Sequence, residues 1–137
     1  MKTTILMVVL SICSSITYAQ KIKTEEVPAI VKDGFKKSFP NAKVTSWEKE
    51  NGKYEAAFDV NKVETSALLD VDGKLVETES AIQISELPKA AIDYLSKTYN
   101  GVKIKEAAKI IESNGKIKYE AEIKGKDILF DEKGNLI

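Results

Sequence analysis

The chain repeats itself, and a repeat restricts a fold more tightly than any composition does, because both copies must adopt one architecture and pack together. At an offset of sixty, without gaps, Asp33 meets Asp93, Lys37 meets Lys97, Phe39 meets Tyr99, Lys43 meets Lys103 and Val44 meets Ile104. Val27-Pro28 and Leu87-Pro88 open the matched segments. Downstream, Asn51-Gly52-Lys53 matches Asn114-Gly115-Lys116, and Tyr54-Glu55-Ala56 matches Tyr119-Glu120-Ala121. At an offset of sixty-one, Leu69-Asp70 and Gly73-Lys74-Leu75-Val76 match Phe130-Asp131 and Gly134-Asn135-Leu136-Ile137. The copies, residues 27–80 and 87–137, are each too small to hold a secure core alone. They imply one composite domain over residues 20–137.

Each copy reads as a helix followed by strands. A proline needs no N–H partner in the first helical turn, and Glu25, Glu26 and Glu86 suit the positive helix end. Val27, Ile30, Val31, Phe35 and Phe39 share one helical face, as do Leu87, Ala91, Leu95 and Tyr99. Phe39-Pro40-Asn41 and Tyr99-Asn100-Gly101 stop the helices. Gly34 weakens the first helix relative to alanine, and the pattern offers no reason for it. Asn51-Gly52 and Asn114-Gly115 are hairpin signals, and Asn61-Lys62, Asp72-Gly73, Gly125-Lys126 and Lys133-Gly134 are weaker two-residue candidates. Ile117, Tyr119, Ala121 and Ile123 alternate with Lys118, Glu120, Glu122 and Lys124, as in a strand with one buried face. Lys105 to Glu112 has helical propensity, but the repeat and the turn after it make it a strand. The expected fold is α+β: two tandem helix-plus-four-strand repeats forming one antiparallel sheet with both helices on one face.

Residues 1–19 carry an export leader: Lys2, an apolar run from Ile5 to Ile12, and a small-x-small site at Thr17-Tyr18-Ala19. The run is too short to span a bilayer. Cleavage after Ala19 directs a 118-residue chain to the periplasm or the medium. Lipidation at Cys13 is the rival reading, disfavoured because Ile12 stands where processing wants a small residue. Cleavage also removes the one cysteine, so no disulfide supports the fold. The remaining 20 lysines against 21 acidic residues give a net charge of −1, which speaks against nucleic acid and anionic lipid. Histidine and arginine are absent, which excludes histidine-dependent catalysis, imidazole metal sites and arginine clamps.

Several segments together resemble the β-lactamase-inhibitor-like, PepSY-like proteins of bacterial envelopes. They are Phe39-Pro40-Asn41-Ala42-Lys43-Val44, Trp47-Glu48, Tyr54-Glu55-Ala56, Leu87-Pro88-Lys89-Ala90-Ala91, Tyr119-Glu120-Ala121-Glu122-Ile123, and the Asp-x-x-Gly turns Asp70 to Gly73 and Asp131 to Gly134. The resemblance covers the chain after the leader. It implies a tandem helix-plus-sheet module with a protein-binding or inhibitory role, and it carries no catalytic residues.

Ser46-Trp47-Glu48-Lys49 and Ser113-Asn114-Gly115-Lys116 match the S-x-x-K pattern of serine acyl-enzymes. That chemistry needs the pair one helical turn apart, whereas one lies in an expected strand and the other across a turn. Asp70-Val71-Asp72-Gly73, with Glu77 and Glu79 nearby, has some character of a calcium loop, but its glycine comes fourth instead of sixth. The Asn51-Gly52 turn sets Trp47 opposite Ala56, in the core, and the wrong parity of Val44 predicts a bulge between them. The same register makes Ile110 the counterpart of Trp47, opposite Tyr119. Ala67, Leu69, Val71, Val76, Ile128, Phe130 and Ile137 are expected beneath the helices. Leu68, Leu75, Leu129 and Leu136 are expected outward, as a partner-binding surface. The functional expectation is an exported, non-enzymatic protein-binding module without cofactor, working through the sheet face away from its helices, with inhibition of an envelope enzyme as one such role. A carrier or sensor for a small ligand or Ca²⁺ is the alternative.

Overall fold

The computed structural model describes residues 19–137, so residues 1–18, with Cys13 and nearly all of the expected leader, lie outside the described residues. Its elements are β1 (Gln20–Ile22), α1 (Ala29–Ser38), β2 (Val44–Glu50), β3 (Lys53–Val60), β4 (Val63–Leu69), β5 (Leu75–Ala81), α2 (Lys89–Thr98), β6 (Glu106–Glu112), β7 (Ile117–Ile123) and β8 (Lys126–Asp131). The eight strands form one antiparallel sheet in chain order. The expected fold class holds, with the strands shared out differently. A short strand precedes α1, and the second half ends in three strands and a single bridge from Phe130 to Leu136.

The register explains that arrangement. Gln20 pairs with Lys49 and Lys21 with Glu48; sixty residues on, Ser80 pairs with Lys109 and Ala81 with Ala108. β5 is therefore the last strand of the first half and the first strand of the second. Each half then enters its helix alike. The Lys23 N–H donates to Glu26 Oε2 at 2.8 Å, and the Gln83 N–H to Glu86 Oε2 at 2.7 Å. These acidic side chains close the one-turn helices Thr24–Glu26 and Ile84–Glu86.

Each helix covers its own core. Val31 and Phe35 of α1 pack on Trp47, Tyr54, Ala56, Phe58, Ala67 and Leu69; Ala91 and Leu95 of α2 pack on Ala107, Ala121, Ile123, Ile128 and Phe130. Ala67 pairs with Thr78 and Thr78 with Ile111, on the same face as Ala107, so both cores lie on one side of the sheet. Trp47 is buried opposite Ala56, and the register shifts between Val44 and Ser46, where the sequence required a bulge. Ile30, expected inward, is exposed.

Gly34 acquires its reason here. A Cβ on Gly34 would stand 1.9 Å from the Gly73 carbonyl oxygen, and one on Gly73 would stand 2.2 Å from the Ile30 carbonyl oxygen. The backbone of α1 lies directly against the β4–β5 turn. In the second half Tyr94 occupies the place of Gly34, its ring edge-on to Phe130 at 5.8 Å.

The turns depart from two-residue loops in a consistent way. Asn51-Gly52 and Asn61-Lys62 do connect paired neighbours, Glu50 with Lys53 and Val60 with Val63. The β7–β8 loop is Lys124-Gly125, one residue earlier than expected. After β4, β6 and β8 the chain turns through three residues and closes on glycines with φ of +75° at Gly73, +86° at Gly115 and +85° at Gly134. Asp70 Oδ1 accepts the N–H groups of Asp72 and Lys74, both at 2.9 Å. Asp131 Oδ1 accepts those of Lys133 and Asn135, at 2.9 and 2.8 Å. The extra residue moves β7 by one position, whereas in β5 the register shift between Leu68 and Leu69 cancels it beyond Leu75. Ile110 consequently faces Lys118 instead of Tyr119, and the structural counterpart of Trp47 is Ala107.

Candidate functional site: the acidic face opposite the helices

The register turns Glu48 and Glu50 of β2, Glu55 of β3, Glu64, Ser66 and Leu68 of β4, Glu77 and Glu79 of β5, Ile110 of β6, Lys118, Glu120 and Glu122 of β7, and Asp127 and Leu129 of β8 away from the helices. Residues as far apart as Lys21 of β1 and Glu122 of β7 line one cleft of about 800 Å³, so the sheet curves around it. A second cleft of about 350 Å³ adjoins it, and Glu55, Ser66, Glu79 and Glu120 line both.

The four outward leucines separate into two pairs. Leu68 and Leu129 line the smaller cleft, with Ile110. Leu75 packs instead against the first core, opposite Leu69, because the turn pairs Asp70 with Lys74; the register shift between Leu68 and Leu69 then returns Glu77 to the outward face. Leu136 pairs with the buried Phe130 and so lies on the helix side, half exposed. The three-residue turns cause both reversals. Val71 and Ile137, expected in the core, are exposed at 57% each; Val71 sits in the turn itself. Ile110, expected under the helices, is 5% exposed but belongs to the cleft face.

The electrostatics of this face are uneven. Lys105 pairs with Glu122 at 3.1 Å and reaches Glu106 at 3.6 Å, which holds the lysine above its ordinary range. Lys118 is engaged by Glu112, whose carboxyl is lowered chiefly by that hydrogen bond. Among the described residues, neither Glu79 nor Glu120 has an ion-pair partner. Burial first, then Glu55, Glu77, Asp127 and Glu64, push the Glu79 carboxyl up to about 7. Burial, then Glu79, Asp127, Glu122 and Glu77, push Glu120 up to about 7 as well. Sequence reading named Glu79 only as a neighbour of the Asp70 turn, and placed Glu120 on the polar face of its strand without marking it as a site residue. Their signal was the alternation of glutamates on β5 and β7, which acquires meaning only once the sheet curves and sets the two strands across β6.

The other candidates fall apart geometrically. Ser46 lines the large cleft, while Lys49 lies over the Tyr54 ring on the helix side, so the serine and lysine do not converge. Lys116 and Asn114 build a turn, with the Lys116 N–H donating to Asn114 Oδ1 at 2.8 Å. The Asp70 carboxylate braces its own turn. Among the described residues, no group of three or more His, Cys, Asp or Glu is arranged to hold a metal. Nor is any helix among them long and apolar enough to cross a membrane.

The family model described as "Putative beta-lactamase-inhibitor-like, PepSY-like" matches residues 16–77 and again residues 60–137. The chain belongs to this family. The two matches overlap across β4 and the start of β5, beside the strand that serves both halves. Solved structures share the fold. A protein from Bacteroides eggerthii, described as "putative periplasmic", is 20% identical with a TM-score of 0.70, over 81% of this chain and 86% of that one. A DUF2874 family protein from Bacteroides uniformis is 22% identical with a TM-score of 0.69, over 80% and 86%. A BLIP-like protein from Bacteroides fragilis is 23% identical with a TM-score of 0.61, over 80% and 82%. No curated protein matches the chain.

Proposed function

We propose that the chain is an exported, non-enzymatic binding module of the periplasm that receives a protein partner on the sheet face opposite its helices. The observation that carries this reading is the curved face itself. It holds a cleft of about 800 Å³ rimmed by Glu48, Glu55, Glu64 and Glu122, next to an apolar floor of Leu68, Ile110 and Leu129. An apolar floor with a charged rim is the anatomy of a protein interface, in which the floor supplies affinity and the rim supplies orientation. The excess of carboxylates over free lysines suits a basic segment of the partner. The inhibitor-like family description supports a mode of action in which this face occludes an enzyme's surface, and the periplasmic description of a structural neighbour supports the compartment. Leu68 and Leu129 stay in the proposed contact surface; Leu75 and Leu136 leave it.

A photo-crosslinking residue at Ser66, which lines both clefts, tests this against one at Lys36, on the exposed side of α1. The expected result in envelope extract is a discrete adduct from position 66 alone. That adduct should be lost when Leu68 and Leu129 are both changed to serine in a variant shown to stay folded. Equal adducts from both positions, or none from position 66, would remove the proposal.

A further inference from the structure

The middle of the cleft face holds two carboxylates that, among the described residues, form no ion pair. Glu79 and Glu120 stand on the strands either side of β6, on the divide between the two clefts. Around them are Glu77 on β5, Glu55 on β3, Glu64 and Ser66 on β4, Ile110 on β6, Glu122 and Lys118 on β7, and Asp127 on β8. Farther out, β1 contributes Lys21 and β2 contributes Glu48 and Glu50. Lys118 of the smaller cleft and Lys105 of the larger are already committed, to Glu112 and to Glu122. The face therefore concentrates negative charge where water is partly excluded and no internal cation relieves it.

We infer that this face is a proton-operated docking surface, in which protonation of the Glu79–Glu120 pair withdraws the negative charge that holds a basic segment of a partner. The inference rests on the proposed function and adds its regulation. Burial and the surrounding carboxylates push both carboxyls up to about 7. A cationic side chain over the pair would keep both ionised, and proton uptake would compete with it for the same oxygens. Binding and protonation are then linked with opposite sign: acidification expels the partner, and the partner expels protons.

Linkage also fixes what happens to the free protein. A carboxyl whose folded pKa lies above its unfolded value binds more protons folded than unfolded, so stability falls as pH rises through about 7 and is regained on acidification. The full chain should thus melt about 5 °C higher at about pH 6 than at about pH 8. A Glu79→Gln/Glu120→Gln variant should lose most of that difference, while Glu25→Gln, outside the clefts, keeps it. With an octalysine peptide as probe, the wild type should bind about tenfold more tightly at about pH 8 than at about pH 6, and the double variant equally weakly at both. Parallel pH profiles for wild type and double variant would overturn the switch. If position 66 still crosslinks a partner in that case, the binding module survives without it. A titration assigned to Glu79 and Glu120 by carboxyl NMR, with no crosslink and no octalysine binding, would instead sink the docking face.

Discussion

The two halves share a plan and differ in how their helices are seated. In the first, Gly34 lets the backbone of α1 lie on Gly73, and Phe35 gathers Phe39, Trp47 and Phe58 within 5.8 Å of its ring centre. In the second, Tyr94 stands where Gly34 would be, Ala107 where Trp47 would be, and the core is built mainly from Leu95, Ile123, Ile128 and Phe130. One half relies on backbone approach and stacked aromatic rings; the other relies on a side-chain spacer and aliphatic filling. Duplicated sequences can thus keep a topology while exchanging the means of packing, provided that large and small residues move in compensation.

Trp47→Ala should break the comparison most strongly. It empties a site 3% exposed in the first core, at an expected cost of about 3–5 kcal/mol in urea unfolding, whereas its counterpart Ala107 has no side chain to lose. Gly34→Ala comes next: the new methyl meets a carbonyl oxygen that cannot swing aside, and about 3 kcal/mol should be lost. Gly134→Ala, at the counterpart of Gly73, probes the helix-to-turn contact of the second half. Its Cβ would meet the Ala91 nitrogen at 2.8 Å instead of an oxygen at 1.9 Å, so it should cost less than Gly34→Ala despite its positive φ. Equal costs would mean that the two helices are seated alike. Tyr94→Ala should follow at about 1.5 kcal/mol, since a half-buried ring loses one edge-on partner. The smallest effect belongs to the turns. Hydrogen bonds from Asn135 and Lys133 hold the Asp131 carboxyl below its usual range, so its contribution to stability is lost as pH falls through that lowered value. Asp131→Asn should blunt the acid limb of the stability profile and leave the neutral limb unchanged.

What the sequence revealed was local or symmetric. The repeat placed both helices, and the Asn51-Gly52 turn carried enough geometry to bury Trp47 and demand the bulge at Val44. The same reasoning went astray wherever glycine closed a three-residue turn, since Asp72-Gly73 and Lys133-Gly134 read equally well as two-residue loops. That one extra residue carried Leu75 and Leu136 to the helix side; the same kind of turn at Ser113-Asn114-Gly115 brought Ile110 into the cleft. Gly34 was opaque for a different reason: its partner, Gly73, lies thirty-nine residues away, and no helical pattern encodes it. Glu79 and Glu120 were visible as outward residues, but their mutual influence needs the curvature of the whole sheet.

A strand with two owners also shares its mistakes. From Glu77 to Ser80, β5 carries polar side chains on both faces, so hydrophobic burial scarcely tells it which way up to lie. A slip of one residue would drive Glu77 and Glu79 beneath the helices and turn Thr78 and Ser80 out, spoiling both halves in one event. Leu75 faces the first core, and strict alternation from it would send Glu77 and Glu79 the same way; the register shift between Leu68 and Leu69 is the latch against that error, and a fault there would be felt as far away as α2.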